Sequence, residues 1–579
     1  MISLFLDNVR LYPESGENIK LTKQNPYFSL AGTYTLDVTL PMDIWENRQF
    51  FGSISRMETT KNPRSMTCRL TNDNATIMVG LAHITEVTEK SVKVQLVGGN
   101  SEINFLSEEG GAYIDEMEYY LMRSYITVHF DAVDFVRDLR AVDLYGVIQN
   151  VIVNCGFRIT ESVLNQAGSP WINLWIVPRD SSDVIVNQLP HWKASEFIQQ
   201  VSRLFNVTFI ADSVTHTVRI VSNRQYVADA PVTIIEPVDE YKVEMNDDSG
   251  EAEVQALANA NIRYDMQQSE YHDNDCLQDD VRKMLQRLEY NSYADLEAAW
   301  RSMNAGERKR YLFICPQGCY ASWTREKLWF DDQPVESLTY IDCFRPLVRD
   351  AASDEYMELK IVPVGMRQDY HEYQCAFDKY LWRYVHVPAT TGSENGMKYS
   401  IPEGDASPIT VQEAVTEGID VEDKEGKEDV LEIVFGDSNF EHVYFQERYV
   451  KRVYGYDPGS IAGWQDYDET GTVQHKWRAF FTDWKLKPGI WSNTPVNRWS
   501  LSLNPVADAD HYLGELHSNP YSLNMKARHV FQFLSDVIPD PSDIFLVRGK
   551  RYACEKIEAN IRDNKIDRLM TGYFYEIEE

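Results

Sequence analysis

Period-two alternation of apolar and polar residues, present at both ends of the chain, constrains the fold more than any other feature. Thr33-Tyr34-Thr35-Leu36-Asp37-Val38-Thr39-Leu40 sends apolar and polar side chains to opposite faces, as extended backbone requires. Residues 66–70, 76–87 and 91–97 continue the pattern, and Gly98-Gly99-Asn100 punctuates its end. Short strands separated by turn residues predict a small barrel or sandwich over residues 1–109. Residues 430–579 read similarly, with strands at 430–435, 499–503, 525–533, 544–548, 551–561 and 566–577. Gly549 and Asp563-Asn564 mark turns there. Both ends share the order strand, turn, long strand, turn, strand, the long members being 80–87 and 552–559. Pro488, Pro495, Pro505, Pro520, Pro539 and Pro541 interrupt the second copy and predict long loops or an open sandwich there.

Between the ends the period changes. Leu144, Val147, Ile148, Val151 and Ile152 form one helical stripe, which Gly156 stops. Phe197, Val201, Leu204 and Phe205 form a second, with Asn206 placed for a left-handed cap. Val207-Thr208-Phe209-Ile210, a turn at Asp212-Ser213, and Thr217-Val218-Arg219-Ile220 then read as a hairpin, so 110–230 is predicted to be an α/β domain. Residues 231–390 read as a mixed α+β domain. Val281, Met284, Leu285 and Leu288 mark one helix, Leu296, Ala299 and Trp300 a second, and 358–362 and 380–385 are strands. Residues 391–429 are polar, and 413–429 carries eight acidic and two basic side chains. Such a segment buries too little apolar surface to offset its ordering entropy, which predicts an exposed linker. The expected class is α+β, predominantly β: two barrel or sandwich domains, 1–109 and 430–579, with α/β and mixed domains between them.

The 579 residues allow three or four domains at roughly 150 residues each. A formal net charge of −33 repels nucleic acid and anionic lipid at long range, which argues against stable binding to either. Arg448, Lys451 and Arg452 form a local basic exception, read as a solvated strand face. The first residues lack a basic region and Asp7 cuts the apolar run, so no signal peptide is expected. No run approaches the roughly 18 apolar residues of a membrane span. The eight cysteines (Cys68, Cys155, Cys276, Cys315, Cys319, Cys343, Cys375 and Cys554) are scattered, unlike a disulfide scaffold. Cys315 and Cys319 are the one close pair, and no second pair follows as a zinc site would need. Reduced, mostly buried thiols in a chain made in a cytoplasm are the expectation. The 33 tyrosines and 13 tryptophans suit half-buried sheet faces and subunit contacts.

No constellation of reactive groups emerges. Gly459-Ser460-Ile461-Ala462-Gly463 holds its serine one place too early for a nucleophile elbow. His371-Glu372 has no second histidine at helical spacing, and glycine-rich phosphate loops are absent. Asp508, Asp510 and His511 read as a solvated turn before a metal cluster, and His272-Asp273-Asn274-Asp275 as a helix cap. Acidic pairs for glycoside hydrolysis carry no information in a chain with 89 acidic residues. No catalytic, cofactor-binding or metal-binding residue is assigned, no cofactor is expected, and the chain reads as a non-enzyme.

The layout resembles the baseplate hub or tail-associated protein family of tailed phages. The resemblance is carried by the strand domain ending in Val92-Lys93-Val94-Gln95-Leu96-Val97-Gly98-Gly99, and by the helix and hairpin from Trp192-Lys193-Ala194-Ser195-Glu196-Phe197 to Val218-Arg219-Ile220. Its third element is the strand pair around Phe545-Leu546-Val547-Arg548-Gly549-Lys550. It implies a homotrimer in which each subunit offers two tube-like barrels to a sixfold tail tube, while the threefold end meets a spike or fibre. The implied partners are a tail tube or distal tail protein, a tape-measure protein, and a spike or fibre protein. The implied location is the virion tail tip, after synthesis in the bacterial host cytoplasm. Some such proteins carry a carboxy-terminal cell-wall hydrolase, and none is expected after the final strand here.

Two other classes compete. A receptor- or carbohydrate-binding adhesin of β-modules would use Trp323, Trp329, Trp464, Trp484 and Trp491 as stacking platforms. Unlike a hub, it can work as a monomer. A polysaccharide hydrolase would release sugar or cell-wall fragments.

Overall fold

The alternating stretches near the amino terminus become strands. These are β1 (Ile2–Leu6), β2 (Val9–Leu11), β3 (Ile19–Gln24), β4 (Thr33–Thr35), β5 (Val38–Pro41), β6 (Ser65–Asn72), β7 (Ala75–Val87) and β8 (Ser91–Gly98). Helix α1 (Trp45–Phe51) lies between β5 and β6, and α2 (Asn100–Glu108) follows β8. In this computed structural model most of residues 2–120, 142–238, 241–245, 260–265, 286–308, 346–351, 356–363 and 498–578 are described. Within 125–140, 311–341, 366–388 and 430–485 the description is confined essentially to strand segments. Alternation decides which face is buried: in β6, Met66, Cys68 and Leu70 point into a core with Leu4, Leu40 and Val94, while Ser65, Thr67 and Arg69 stay exposed. β7 and β8 run so close at Gly80 that a Cβ there would lie 1.9 Å from the Val97 carbonyl oxygen, so the position requires glycine.

The two helical stripes fold as predicted, into α3 (Leu144–Asn154) and, after β9 (Arg158–Ser162) and β10 (Leu174–Ile176), α4 (Ala194–Phe205). Asn206 ends α4 at φ 50°, the left-handed conformation that asparagine tolerates. β11 (Val207–Asp212) and β12 (Thr217–Ser222) form the expected hairpin, and β9 joins β12 in parallel. The chain continues through α5 (Asn223–Ala228), β13 (Val232–Ile234), β14 (Lys242–Met245), β15 (Asn261–Tyr264), α6 (Tyr293–Ser302), β16 (Tyr356–Leu359), β17 (Ile361–Pro363) and β18 (Leu431–Phe435). Leu296 and Trp300 are the buried side chains of α6, as their spacing predicts. The helix expected to include Leu288 is not formed there. Gln286–Glu289 is a strand parallel to Tyr311–Cys315, because so short an apolar run fits either period. β18 pairs with β10 and β17 rather than with the carboxy-terminal strands. Leu431 and Ile433 thus join the α/β core beside Phe197 and Leu204, with Leu501, Leu503 and Leu513 from farther along the chain. The acidic stretch 413–429 lies outside the described residues.

β19 (Ser522–Leu534), β20 (Ile544–Val547), β21 (Lys550–Arg562) and β22 (Lys565–Glu578) complete the chain. They pair antiparallel in the order β19-β22-β21-β20. β13 adds in parallel to β20, and β14 antiparallel to β19. The expectation of two separate barrels is corrected here. β3 pairs antiparallel with β21, from Ile19↔Ile561 to Gln24↔Lys556, and β4 links β3 to β8. Both ends of the chain therefore share one 14-stranded sheet, whose main path runs open from β14 to β2 and closes no barrel. The physical reason lies in β21, whose alternation buries Ile561 in the amino-terminal core and Ala559 and Ile557 in the carboxy-terminal core.

Asn25, just after β3, fixes this junction. Its Nδ2 donates to the carbonyl oxygens of Pro541 (2.9 Å) and Cys554 (2.8 Å). Its Oδ1 accepts from the Tyr27 amide (3.0 Å) and the Tyr226 hydroxyl on α5 (2.9 Å), and its own amide donates to the Glu555 carbonyl (2.9 Å). The side-chain amide is thus fully used in a site that is 4% exposed. Replacing Asn25 by Ala removes the partners of two buried carbonyls and is expected to cost about 2–4 kcal/mol, read by chemical denaturation. An unchanged midpoint would show that the junction is held by the strand ladder alone.

Candidate assembly surface

The two terminal lobes repeat one strand arrangement. β5-β8-β7-β6 in the first lobe and β19-β22-β21-β20 in the second have the same spatial order, and all neighbours are antiparallel. In each, the strand that comes first in sequence lies against the strand that comes last. The long central members β7 and β21 both have 13 residues, and each shifts register against its successor, between Ile84 and Glu86 and between Cys554 and Lys556. Beyond the fourth strand the likeness stops, because β1 runs antiparallel to β6 whereas β13 runs parallel to β20.

Large apolar side chains left in water gather on these lobes. Val232 and Ile234 of β13 flank the half-buried Thr233, so the strand period points both outward, Ile234 with 70% of its surface exposed. Val238, Tyr241 and Met245 continue the exposure along the same segment, with the Tyr241 ring 6.2 Å from that of buried Phe531. The connection from β19 to β20 exposes Val537, and the corresponding connection from β5 to β6 exposes Trp45 (66%) and Met57 (89%). Equivalent connections in the two repeated units thus both present exposed apolar side chains.

A charged belt crosses the second lobe and ties its border strand to the sheet. Lys242 (2.6 Å) and Arg528 (2.5 Å) both reach the Glu244 carboxylate, and Arg528 extends to Glu555 at 3.5 Å. Lys20 on β3 (2.8 Å) and Lys556 (3.6 Å) meet at Glu558. The Tyr573 ring lies 5.2 Å beneath the Arg528 guanidinium and 4.5 Å beneath the Lys556 ammonium. Hydrogen bonds from Lys242 and Arg528 hold the Glu244 carboxyl below its ordinary range. Burial raises Glu555 against the pull of Arg528, and burial with the Glu558 carboxylate pushes Tyr573 up to about 12. Arg528→Met is expected to cost roughly 1–2 kcal/mol, because it removes the charged partner of Glu555 and leaves Glu244 with Lys242 alone. Hydrogen exchange of β14 should speed up more than that of β22, and equal effects on both would contradict the belt's anchoring of the border.

The residues singled out in the sequence do not converge. Arg448 and Arg452 lie on the separate short strands Gln446–Val450 and Arg452–Val453. Cys315 and Cys319 lie on the two strands of one hairpin but are not opposite each other, Cys315 pairing with Gly318 and Cys319 with Ile314, and Cys315 is buried. His371 and Glu372 are successive residues of the strand Met366–Cys375. His511 bonds Glu515 at 3.1 Å, while Asp508 and Asp510 lie outside the described residues. So do Ser460, His272, Trp329, Trp464 and Trp491, and Trp323 and Trp484 sit on strands. Among the described residues no group of three or more His, Cys, Asp or Glu side chains is placed to hold a metal ion. No helix among them is long and apolar enough to cross a membrane.

Sequence reasoning missed a buried polar junction. His517, 1% exposed, donates from Nε2 to the Leu204 carbonyl at 3.0 Å, and Asn206 donates to the Leu516 carbonyl at 2.6 Å. Burial, then the nearby Arg349 charge, press the imidazole down to about 3, so the ring is neutral. A lone histidine in a polar turn carries no periodic signal that would announce this role.

No family profile matches the chain, and no curated protein does. Among solved structures, the 43 kDa tail protein of prophage MuSo2 from Shewanella oneidensis is similar at 8% identity and a TM-score of 0.33, covering 99% of this chain and 96% of that one. The tail protein from Neisseria meningitidis MC58 is similar at 6% identity and a TM-score of 0.33, covering 100% and 96%. At these values neither likeness decides fold or function.

Proposed function

We propose that the chain is a structural, non-catalytic protein of a phage tail, assembled as a homotrimeric hub at the tail tip. The observation that carries this reading is the repeated four-strand unit at the two ends of the chain. A threefold object satisfies six equivalent neighbours only when each subunit offers two equivalent surfaces, and one shared sheet holds the two units in fixed relation. The sixfold partner is a tail tube or distal tail protein, with a tape-measure protein above and a spike or fibre below. In this division, 110–230 and the part of 231–390 that follows β14 project from the ring, while β13 and β14 belong to the second lobe. The net charge of −33 keeps DNA from adhering to a delivery channel.

Particle imaging or native mass measurement of the full chain with its tail partners should show three copies with six matched lobes. A chain that stays monomeric in every tail preparation would remove the hub reading and favour the adhesin. Ile234→Glu supplies the surface test. The side chain is 70% exposed, so stability should move by no more than about 0.5 kcal/mol, while incorporation into tails is lost. Normal incorporation would clear β13 of any role in assembly.

A further inference from the structure

We propose that the contact between the amino-terminal lobe and the helix–hairpin unit is a proton-controlled latch, with Glu102 on α2 as its titrating group. This goes beyond the tail reading and does not depend on it.

Helix α2 is the bridge between the two units. The Gly99 amide donates to the Ser213 hydroxyl (2.5 Å), Asn100 Nδ2 to the Phe209 carbonyl (2.7 Å), and the Ala211 amide back to Asn100 Oδ1 (2.8 Å). At the other end of α2, Ser107 and Ser195 of α4 hydrogen bond at 2.8 Å. Glu102 sits in the middle of this seam, 2% exposed, with its Oε1 lacking any hydrogen-bond partner. A buried carboxyl with an unused oxygen is tolerated when protonated and costly when ionised.

The surroundings offer little to stabilise the charge. Titratable and charged groups on the neighbouring elements are Cys68 and Arg69 on β6, His83 and Glu86 on β7, Tyr34 on β4, Lys93 on β8, Asp212, His216 and Arg219 on the hairpin, and Glu196 and Arg203 on α4. Asp212 is committed to the Val214 amide and the Thr215 hydroxyl, Glu196 to Lys360, and Lys93 to Glu86. Among the described residues no cation bonds Glu102. Burial therefore raises its carboxyl to about 7, against the Ser213 hydroxyl and the Gly99 amide.

A carboxyl raised from 4.5 in the unfolded chain to about 7 contributes stability that is complete below pH 4.5 and lost as pH rises through 7. His83, stacked on Phe105 of the same helix at 3.3 Å, runs the other way. Burial lowers it from 6.5 to about 4, so its contribution is present above pH 6.5 and lost as pH falls through 4. Between pH 4.5 and 6.5 the two oppose each other, and above 6.5 Glu102 acts alone to loosen the latch.

Hydrogen exchange of the full-length chain, corrected for intrinsic rates, tests this on peptides covering 99–108 and 207–213. Protection in the parent chain should stay level between pH 4.5 and 6.5, where the two contributions offset, and fall about twofold between pH 6.5 and 8. In Glu102→Gln it should be flat over that range and should rise with pH between 4.5 and 6.5, where His83 is left unopposed. A parent chain without the fall, or a Gln variant that keeps it, would overturn the latch. Ser213→Ala guards against a misfolded Gln variant: losing the hydroxyl that favours the ionised form should move the midpoint of the fall to higher pH, and an unmoved midpoint would also overturn the proposal.

Discussion

Pairing of β3 with β21 is the contact on which the rest of the architecture depends. It places the first and last parts of the chain side by side, and the two apolar cores meet along the inner face of β21. A ladder alone resists sliding weakly, because a two-residue slip preserves the alternation of faces. The Asn25 amide removes that freedom by reading the backbone at Pro541, Cys554 and Tyr27 together. The repeated four-strand units are thereby held at one spacing, the condition for presenting them to partners in register.

The α/β core solves a related problem by different means. It collects β10, β17, β18 and the segment around Leu501 and Leu513, which are far apart in sequence, against α3 and α4. Apolar burial supplies the drive but is not directional. Direction comes from buried polar groups such as Asn206 and His517, whose bonds to the Leu516 and Leu204 carbonyls are satisfied in one arrangement only.

Local structure was legible wherever period and punctuation agreed. α3 and α4 follow from their apolar stripes, Asn206 from its tolerance of left-handed backbone, and the β11–β12 hairpin from its polar turn. The strand order of the repeated unit was legible too, since hairpin turns force neighbours in sequence to become neighbours in space. Partnerships across long separations were not, because alternation says that Leu21 and Ala559 face inward and says nothing of their meeting. β18 shows the same limit, its apolar run fitting one buried sheet as well as another. Of the candidate surface, the repeat was readable but the exposed segment 232–245 was not. Ile234 and Val232 look like core residues until the strand that leaves them outside is known.

The β3–β21 ladder also orders events in time. Asn25 and Cys554 are 529 positions apart, so β3 leaves the ribosome long before its partner exists. At roughly 5–20 residues per second the wait is about half a minute to two minutes. Throughout it the nascent first lobe carries an unpaired strand edge, the feature most prone to join a neighbouring chain. The step that gives the finished protein its rigidity is thus the last to become available during synthesis, and chains growing on the same messenger meet in their most adhesive state.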